Sequence, residues 1–274
     1  MKASFKHGDG PKNSSSKKGV KLNYTVITGA SSGLGEEYAK QLAARGENLI
    51  ITARRRAKLL DLAEKLSSRY RVDVQVIVAD LSDNGAGEII KQISKKNYAI
   101  KGLINNAGFG YRDGFDHTQQ DLVTGMIDVN LKSLTVLTHA LTPYLKQQPQ
   151  AYIINVASVA GFQCGPYAAV YYATKAYVVS LSEALYTELK PHGIQVSCCC
   201  PGPTKTEFST RAHMEKLALF RYFSMRSCDV VRKSLKNKHK AIVITGVRNK
   251  ILVAISQITP RCIKRIITKK VHEL

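Results

Sequence analysis

Apolar residues recur along this chain in two alternating rhythms. Short β-branched or solidly apolar runs stand at Tyr24–Thr28, Asn48–Thr52, Val72–Val78, Gly102–Asn105, Tyr152–Ala157, Ile194–Cys200 and Ala241–Thr245, and they predict seven strands. Between them lie stretches with helical spacing: Glu36–Arg45, Lys58–Arg69, one starting near Gly85, a long one over 118–147, and one that carries Tyr171 and Lys175 on to Lys190, where Pro191-His-Gly193 stops it. Strands and helices alternating on this scale specify a parallel doubly wound sheet flanked by helices, with function at the carboxyl ends of the strands. Residues 1–20 are polar, rich in Gly, Ser and Lys, and aperiodic, which predicts a disordered basic arm. The organisation expected is therefore this arm, a catalytic body over 21–246, and a basic amphipathic extension over 247–274.

Length changes little in this picture: 274 residues suit one α/β domain and not two. No apolar run approaches the length of a membrane span, and the N-terminus has no apolar core of a secretory signal, so a cytoplasmic protein is expected. Six cysteines include the consecutive Cys198, Cys199 and Cys200 in a predicted buried strand, and no C-x-x-C spacing offers a zinc site. They read as reduced thiols, and no metal is expected. Charge matters by its placement. The formal net charge is +21, of which residues 201–274 supply +13 and residues 1–23 supply +5, leaving the middle nearly neutral. Such ends favour acidic partners, whether nucleic acid, an anionic membrane surface or phosphorylated substrates, although a general basic bias gives the same sign.

The chemistry sits at the ends of the predicted strands. After the first comes Thr28-Gly29-Ala-Ser31-Ser32-Gly33-Leu34-Gly35 and then a helix, the context in which a glycine turn cradles a dinucleotide pyrophosphate. Gly29 permits the tight turn, and Gly33 and Gly35 let the backbone approach the phosphates. The second strand runs into Arg54, Arg55 and Arg56, where an NAD site would carry an acidic residue for the ribose 2′-hydroxyl. The missing acid and the arginines predict NADPH, with Arg54 and Arg55 on its 2′-phosphate; the same arginines would also suit a solvated first helical turn. Asp80 and Leu81 end the third strand, where Asp80 can meet an adenine or cap the following helix. In the turn Asn105-Asn106-Ala107-Gly108 the asparagines can tie local backbone groups, and the small residues leave room for a flat ligand. Asn130 lies mid-helix, where asparagine is mildly unfavourable, which suggests a role for it. Ser158 follows the fifth strand. Tyr171 and Lys175, four apart, share a helix face, so the ammonium should lower the phenol's pKa. A strand-end hydroxyl beside a tuned phenol suits polarising a carbonyl and passing it a proton.

These motifs in this order resemble the short-chain dehydrogenase/reductase family, over about 24–206 and, with the last strand, to about 246. The glycine motif resembles that family's cofactor turn, and Asn105–Gly108 its sheet-stabilising turn. Asn130, Ser158, Tyr171 and Lys175 match its catalytic tetrad, and Pro201-Gly202 with Thr204 and Thr206 resembles the turn that holds the nicotinamide carboxamide. One departure is Tyr172, where the family commonly has a small polar residue. The resemblance implies a Rossmann fold and a homodimer or homotetramer. It implies hydride transfer between NADP(H) and a small-molecule ketone, aldehyde or alcohol. Tyr171 would exchange the proton, Lys175 lower its pKa and bond the nicotinamide ribose, Ser158 bond the substrate oxygen, and Asn130 hold a water. A lid over 207–225, with Met214, Leu217, Leu219, Phe220, Tyr222 and Phe223, favours an apolar steroid-like or fatty-acyl carbonyl, although these could equally be core. Looser likeness around Asn106–Phe115 and Ile244–Lys250 connects the chain to bacterial reductases and to hydroxysteroid and fatty-acyl reductases.

The alternative is a non-catalytic NADPH-binding protein whose basic ends bind RNA or a membrane surface. The intact tetrad argues against it, and nucleic acid is not the expected partner. In the extension, apolar residues lie on both sides of Pro260, and Ile263, Ile266, Ile267 and Val271 fall on one helical face ringed by Lys264, Arg265, Lys269 and Lys270. That suits peripheral contact with an anionic membrane, or packing on the chain's own domain or a second subunit. Val271–Leu274 resembles an endoplasmic-reticulum retrieval signal but is discounted without a signal peptide.

Overall fold

The structure, a computed structural model, describes residues 22–214 and 223–273, the last three by backbone alone. One sheet of seven parallel strands runs in the order β3-β2-β1-β4-β5-β6-β7. Its strands are β1 (Asn23–Thr28), β2 (Asn48–Ala53), β3 (Val74–Val78), β4 (Ala99–Asn105), β5 (Tyr152–Val156), β6 (Gln195–Cys200) and β7 (Ile242–Ile244). Between β1 and β6 stand α1 (Gly33–Ala43), α2 (Arg56–Tyr70), α3 (Gly85–Lys95), α4 (Gln120–Ile127), α5 (Leu134–Leu145) and α6 (Ala169–Leu189). After β6 come α7 (Glu207–Arg211), α8 (Ser227–Lys236), α9 (Val247–Ile258) and α10 (Arg261–Glu273).

The strands are apolar at consecutive positions because both faces of the sheet are covered. Ile27, Ile51, Ile104 and Ile154 meet Tyr38, Leu42, Leu59 and Val230 on one face. Their neighbours Val26, Ile50, Leu103 and Ile153 meet Ile89, Ile93, Leu137 and Leu141 on the other. Strand order reverses between β1 and β4, and the loops leaving these strands splay apart there, which opens a crevice at the sheet's carboxyl edge.

The stretch over 118–147 is not the single helix its periodicity suggests. A π-helical turn, Asp128–Ser133, separates α4 from α5 and ends the α-helical register. The wide turn buries Asn130 and Ser133, and the Ser133 hydroxyl donates to the Leu81 carbonyl at 2.7 Å. Such turns occur within helices chiefly where a side chain must be re-aimed.

Asn105 does not act locally. Its amide donates to Thr138 Oγ1 at 2.8 Å and to Asn155 Oδ1 at 2.9 Å, and Asn155 donates in turn to Ser182 at 3.0 Å. These buried bonds connect β4, α5, β5 and α6. Asp80 does not cap α3, whose N-cap position is Asn84; its carboxylate instead accepts from the Ser82 backbone and hydroxyl at 3.0 and 2.7 Å and closes the loop.

Candidate active site

The turn between β1 and α1 needs glycine for two different reasons. Gly29 and Gly33 have φ of +68° and +59°, the left-handed region that side chains resist. Gly35 instead allows close approach. A Cβ on it would lie 2.3 Å from the Gly29 carbonyl oxygen and 2.5 Å from Asn106 Nδ2. Asn106 is itself fixed, donating from that amide to the Thr28 carbonyl at 2.9 Å, while its own N–H and that of Ala107 donate to Thr28 Oγ1 at 3.0 and 2.9 Å. Gly35 therefore seats the helix on the turn and does not line the cleft, in contrast to the expectation that it faces a pyrophosphate. Gly35→Ala should lose about 1–3 kcal/mol of stability by overpacking. Thermal unfolding would read this as a drop of several degrees, and an unchanged midpoint would show that the turn can open.

The β1 turn borders a cleft of about 670 Å³ at the strand-order reversal, within the size range of ligand pockets. All the sequence-predicted site residues line it except Gly35 and Asn130. Gly33 faces Thr206 across it: a Cβ at Gly33 would come within 3.1 Å of the threonine methyl. This backbone cradle beside a helix N-terminus fits a dinucleotide pyrophosphate.

At the other end of the cleft, α6 buries Tyr171, Thr174, Lys175, Val178, Val179 and Ser182, the spacing of one continuous helical face. Burial pushes the Tyr171 phenol up to about 12, against the pull of a hydrogen bond with Ser158. Burial likewise pushes Lys175 down to about 8. The ammonium donates to the Val156 carbonyl at 2.9 Å and stands 5.8 Å from the Tyr171 ring centre. The expected lowering of the phenol by Lys175 is thus not observed; burial governs both groups. The Ser158 oxygen accepts from Ala160 N at 3.1 Å, which aims it from the end of β5. A phenol that carries its proton and a serine hydroxyl beside it can together hold and protonate a carbonyl oxygen.

Asn130 is behind this pair. Its amide donates to the Phe109 carbonyl at 2.9 Å and to Thr174 Oγ1 at 3.1 Å, and its Oδ1 accepts from Phe109 N at 3.0 Å. It fixes the loop after β4 against α6, and these bonds occupy both amide protons.

The arginines after β2 differ from each other. Arg54 is largely exposed and stands 3.6 Å from Asp80; the Asp80 carboxyl is partly buried, but Ser82 hydrogen bonds and the Arg54 charge outweigh this and hold it below the usual range. Arg55 is fixed by bonds to Ser31 Oγ and Ser31 O, both at 3.0 Å, and donates at 2.8 Å to Glu207 on α7. Lys58 reaches the same carboxylate at 3.0 Å and Arg211 also pairs with it. Hydrogen bonds from Lys58 and Arg55, with the surrounding charge, hold Glu207 down to about 2. The sequence reading missed Glu207. Arg55 and Lys58 lie about 150 residues away from it, and only an acid within a basic segment, four residues before Arg211, could have pointed to it.

Phe109, Met126 and Phe208 form an apolar wall around Tyr171, Met214 packs in the adjoining cluster with Phe208 and Tyr172, and the Phe208 ring centre is 5.5 Å from that of Tyr171. Tyr172 stands edge-on to Tyr171 at 6.0 Å and covers Gly165. Of the expected lid, Met214 is buried and lines the cleft. Phe223 lies half-exposed under Arg248, and Leu217, Leu219, Phe220 and Tyr222 lie outside the described residues.

A doubly wound sheet with this crevice and this cluster defines an oxidoreductase of the Rossmann type. The short chain dehydrogenase family model matches residues 23–216, and the chain belongs to that family. It is 38% identical over 188 residues to sulfoacetaldehyde reductase 2 of Chromohalobacter salexigens, an alignment covering 67% of this chain and 73% of that one. It is 35% identical over 181 residues to hydroxysteroid dehydrogenase-like protein 1 of Gallus gallus, covering 65% of this chain but 54% of the relative. A very-long-chain 3-oxoacyl-CoA reductase of Phaeosphaeria nodorum is 34% identical, with 69% and 57% of the two chains covered. The chain thus spans little more than half the length of the last two. Among solved structures, a short-chain dehydrogenase from Sphingobium yanoikuyae in complex with NADPH superposes with a TM-score of 0.77 at 32% identity, over 86% of this chain and 94% of that one.

Proposed function

We propose that the chain is an NADPH-dependent reductase of an apolar ketone or aldehyde, running in reverse as an alcohol dehydrogenase. The observation that carries this reading is the buried Tyr171 phenol beside Ser158 at the end of a cleft whose other end is the glycine turn and Arg55. When bound, a reduced nicotinamide supplies the hydride. The residues that would hold the cofactor are Gly29, Ser31, Ser32, Gly33 and Leu34 at the pyrophosphate, with Arg54 and Arg55 at the 2′-phosphate. Asp80 and Leu81 would hold it at the adenine, Asn106, Ala107 and Gly108 along one wall, and Pro201, Gly202, Thr204 and Thr206 at the carboxamide. Tyr171 donates its proton to the substrate oxygen, Ser158 holds that oxygen, and Lys175 keeps a positive charge beneath them. Asn130 positions the Phe109 loop, and its Oδ1 retains a lone pair for a water.

NADPH is favoured by the absence of an acid after β2, by the fixed Arg55, and by the NADPH complex of the Sphingobium yanoikuyae relative. An apolar substrate is favoured by the wall around Tyr171 and by the names of the chicken and fungal relatives. The family's small-molecule chemistry is carried here by a body over 21–246, in a cytoplasmic homodimer or homotetramer. Among the described residues no helix is long and apolar enough to cross a membrane, and the extension over 247–274 makes a peripheral contact with anionic membrane.

The test is NADPH oxidation with a ketosteroid, a 3-oxoacyl thioester and a short sulfonated aldehyde. The first two should turn over and the third should not. The Lys175 charge is present below about 8 and lost above it, whereas the phenol keeps its proton to about 12. Reduction should therefore hold from neutral pH to about 8 and fall above it. NADPH binding with no turnover of any carbonyl would favour the non-catalytic alternative.

A further inference from the structure

The last two helices leave an apolar surface facing solvent. On α9, Val247, Ile251, Ile255 and Ile258 share one face and are 70%, 54%, 52% and 83% exposed. Asn249, Val253 and Ser256 occupy the opposite face and are buried. On α10, Ile263, Ile266 and Ile267 are again about half exposed, while Thr268 turns inward. A folded domain seldom presents so many branched apolar side chains together unless they meet another surface. Between Val247 and Lys270 the chain has seven Lys or Arg and no Asp or Glu.

This composition selects the partner. Two copies meeting through this face in a two-fold dimer would bring seven cations against seven, with a single acid in each copy's two helices, Glu273 at the end of α10, to set against them. An apolar stripe flanked by cations instead matches an anionic lipid surface: the isoleucines enter the acyl boundary and the Lys and Arg meet headgroup phosphates and carboxylates.

The position of the helices gives the surface a further consequence. Ser256 of α9 donates to the Phe162 carbonyl at 3.3 Å, in the turn that follows Ser158. Asn249 lies against Gly202, where a Cβ would come within 2.4 Å of its amide nitrogen. From α10, Thr268 approaches Cys164 at 3.9 Å. Beside these contacts an apolar groove of about 740 Å³ separates α10 from the start of α6, and Tyr172 and Gln163 border both this groove and the catalytic cleft. We infer that α9 and α10 together dock the chain on anionic bilayers, with the mouth of the catalytic cleft held beside the lipid boundary. This rests on the proposed peripheral contact and gives it a defined surface and orientation. The apolar carbonyl is then taken from the bilayer and not from bulk water.

The test uses the full chain and phosphatidylcholine vesicles with or without phosphatidylserine. Wild type should sediment with the phosphatidylserine vesicles at low salt and be released as salt rises. A combined Ile251→Glu, Ile258→Glu, Ile266→Glu variant changes only exposed side chains. It should lose at least tenfold in vesicle partition while keeping the thermal midpoint and the NADPH titration of wild type. Vesicle-bound wild type should reduce a bilayer-resident ketone faster than the variant does, and the two should match on a water-soluble ketone. Equal sedimentation of wild type and variant would overturn the inference. So would a wild-type dimer that becomes monomeric in the variant with no vesicle binding by either, which would make the face a subunit interface. Vesicle binding without reduction of any carbonyl would sustain the docking surface and defeat the proposed activity instead.

Discussion

Tyr171→Phe is expected to lower carbonyl reduction on the order of 10²–10⁴-fold while NADPH binding and stability stay close to wild type. The ring remains, and with it the packing against Phe208 and Tyr172. The change removes one hydroxyl, whose hydrogen bond to Ser158 contributes about 1 kcal/mol at most. Ser158 is not stranded by its loss, because its oxygen still accepts from Ala160 N at 3.1 Å and its hydroxyl faces the Pro201 carbonyl at 3.4 Å. What disappears is the acid. A phenol carries its proton at neutral pH even at its ordinary value of about 10. Burial raises Tyr171 to about 12 and keeps it in the proton-bearing form that reduction requires across the working range. Lys175→Ala should differ in kind: it removes a buried cation from the Val156 carbonyl and should weaken both cofactor binding and turnover. Single-turnover rates and a fluorescence titration separate the two effects. Wild-type turnover by Tyr171→Phe would remove Tyr171 from the mechanism.

The parts of this molecule legible in the sequence are those in which local pattern and tertiary role coincide. A strand covered on both faces reads as an unbroken apolar run, as in Leu49-Ile-Ile51 and Ile153-Ile154, so the sheet could be read without a partner in view. The same holds for Tyr171 and Lys175, because helical spacing alone puts them on one face. Spacing does not report burial, however, nor that Val156 takes the ammonium. The direction of the Tyr171 shift was therefore not readable. The π-helical turn was hidden for a related reason: one additional residue in a turn leaves the apolar period on either side intact and has no propensity signature of its own. Long-range polar ties, such as Asn105 to Thr138 and Asn155, are invisible because each partner is an ordinary polar residue until the fold joins them. Glu207 is the plainest case. Its pairing with Arg211 follows from helical spacing, but nothing near it in sequence indicates that Arg55 and Lys58 will also hold it.

That cluster leads to the second large effect. Replacing Arg54 and Arg55 together with Ala should lower the ratio of NADPH to NADH efficiency by between about tenfold and a hundredfold, the loss of roughly 1.5–3 kcal/mol of charge-assisted bonding to a phosphate. The single variants should not share this equally. Arg54 is 68% exposed and its nearest acid is 3.6 Å away, so it is a mobile countercharge. Arg55 is aimed in advance by its bonds to Ser31, and little further ordering is needed for it to meet a phosphate. Arg55→Ala should therefore carry most of the change. Glu207 acts in the opposite sense. Its carboxylate, held near 2, is an anion throughout the working pH range and takes up one face of the Arg55 guanidinium together with Lys58. Glu207→Gln removes that charge and leaves the cations for an incoming phosphate, so NADPH should bind several-fold more tightly while NADH hardly changes. The two substitutions thus move the same ratio in opposite directions, and steady-state kinetics with both cofactors read it directly. A ratio unmoved by Arg55→Ala would reduce the arginines to the solvated first turn of α2, and a ratio unmoved by Glu207→Gln alone would place the cofactor's phosphate away from Arg55.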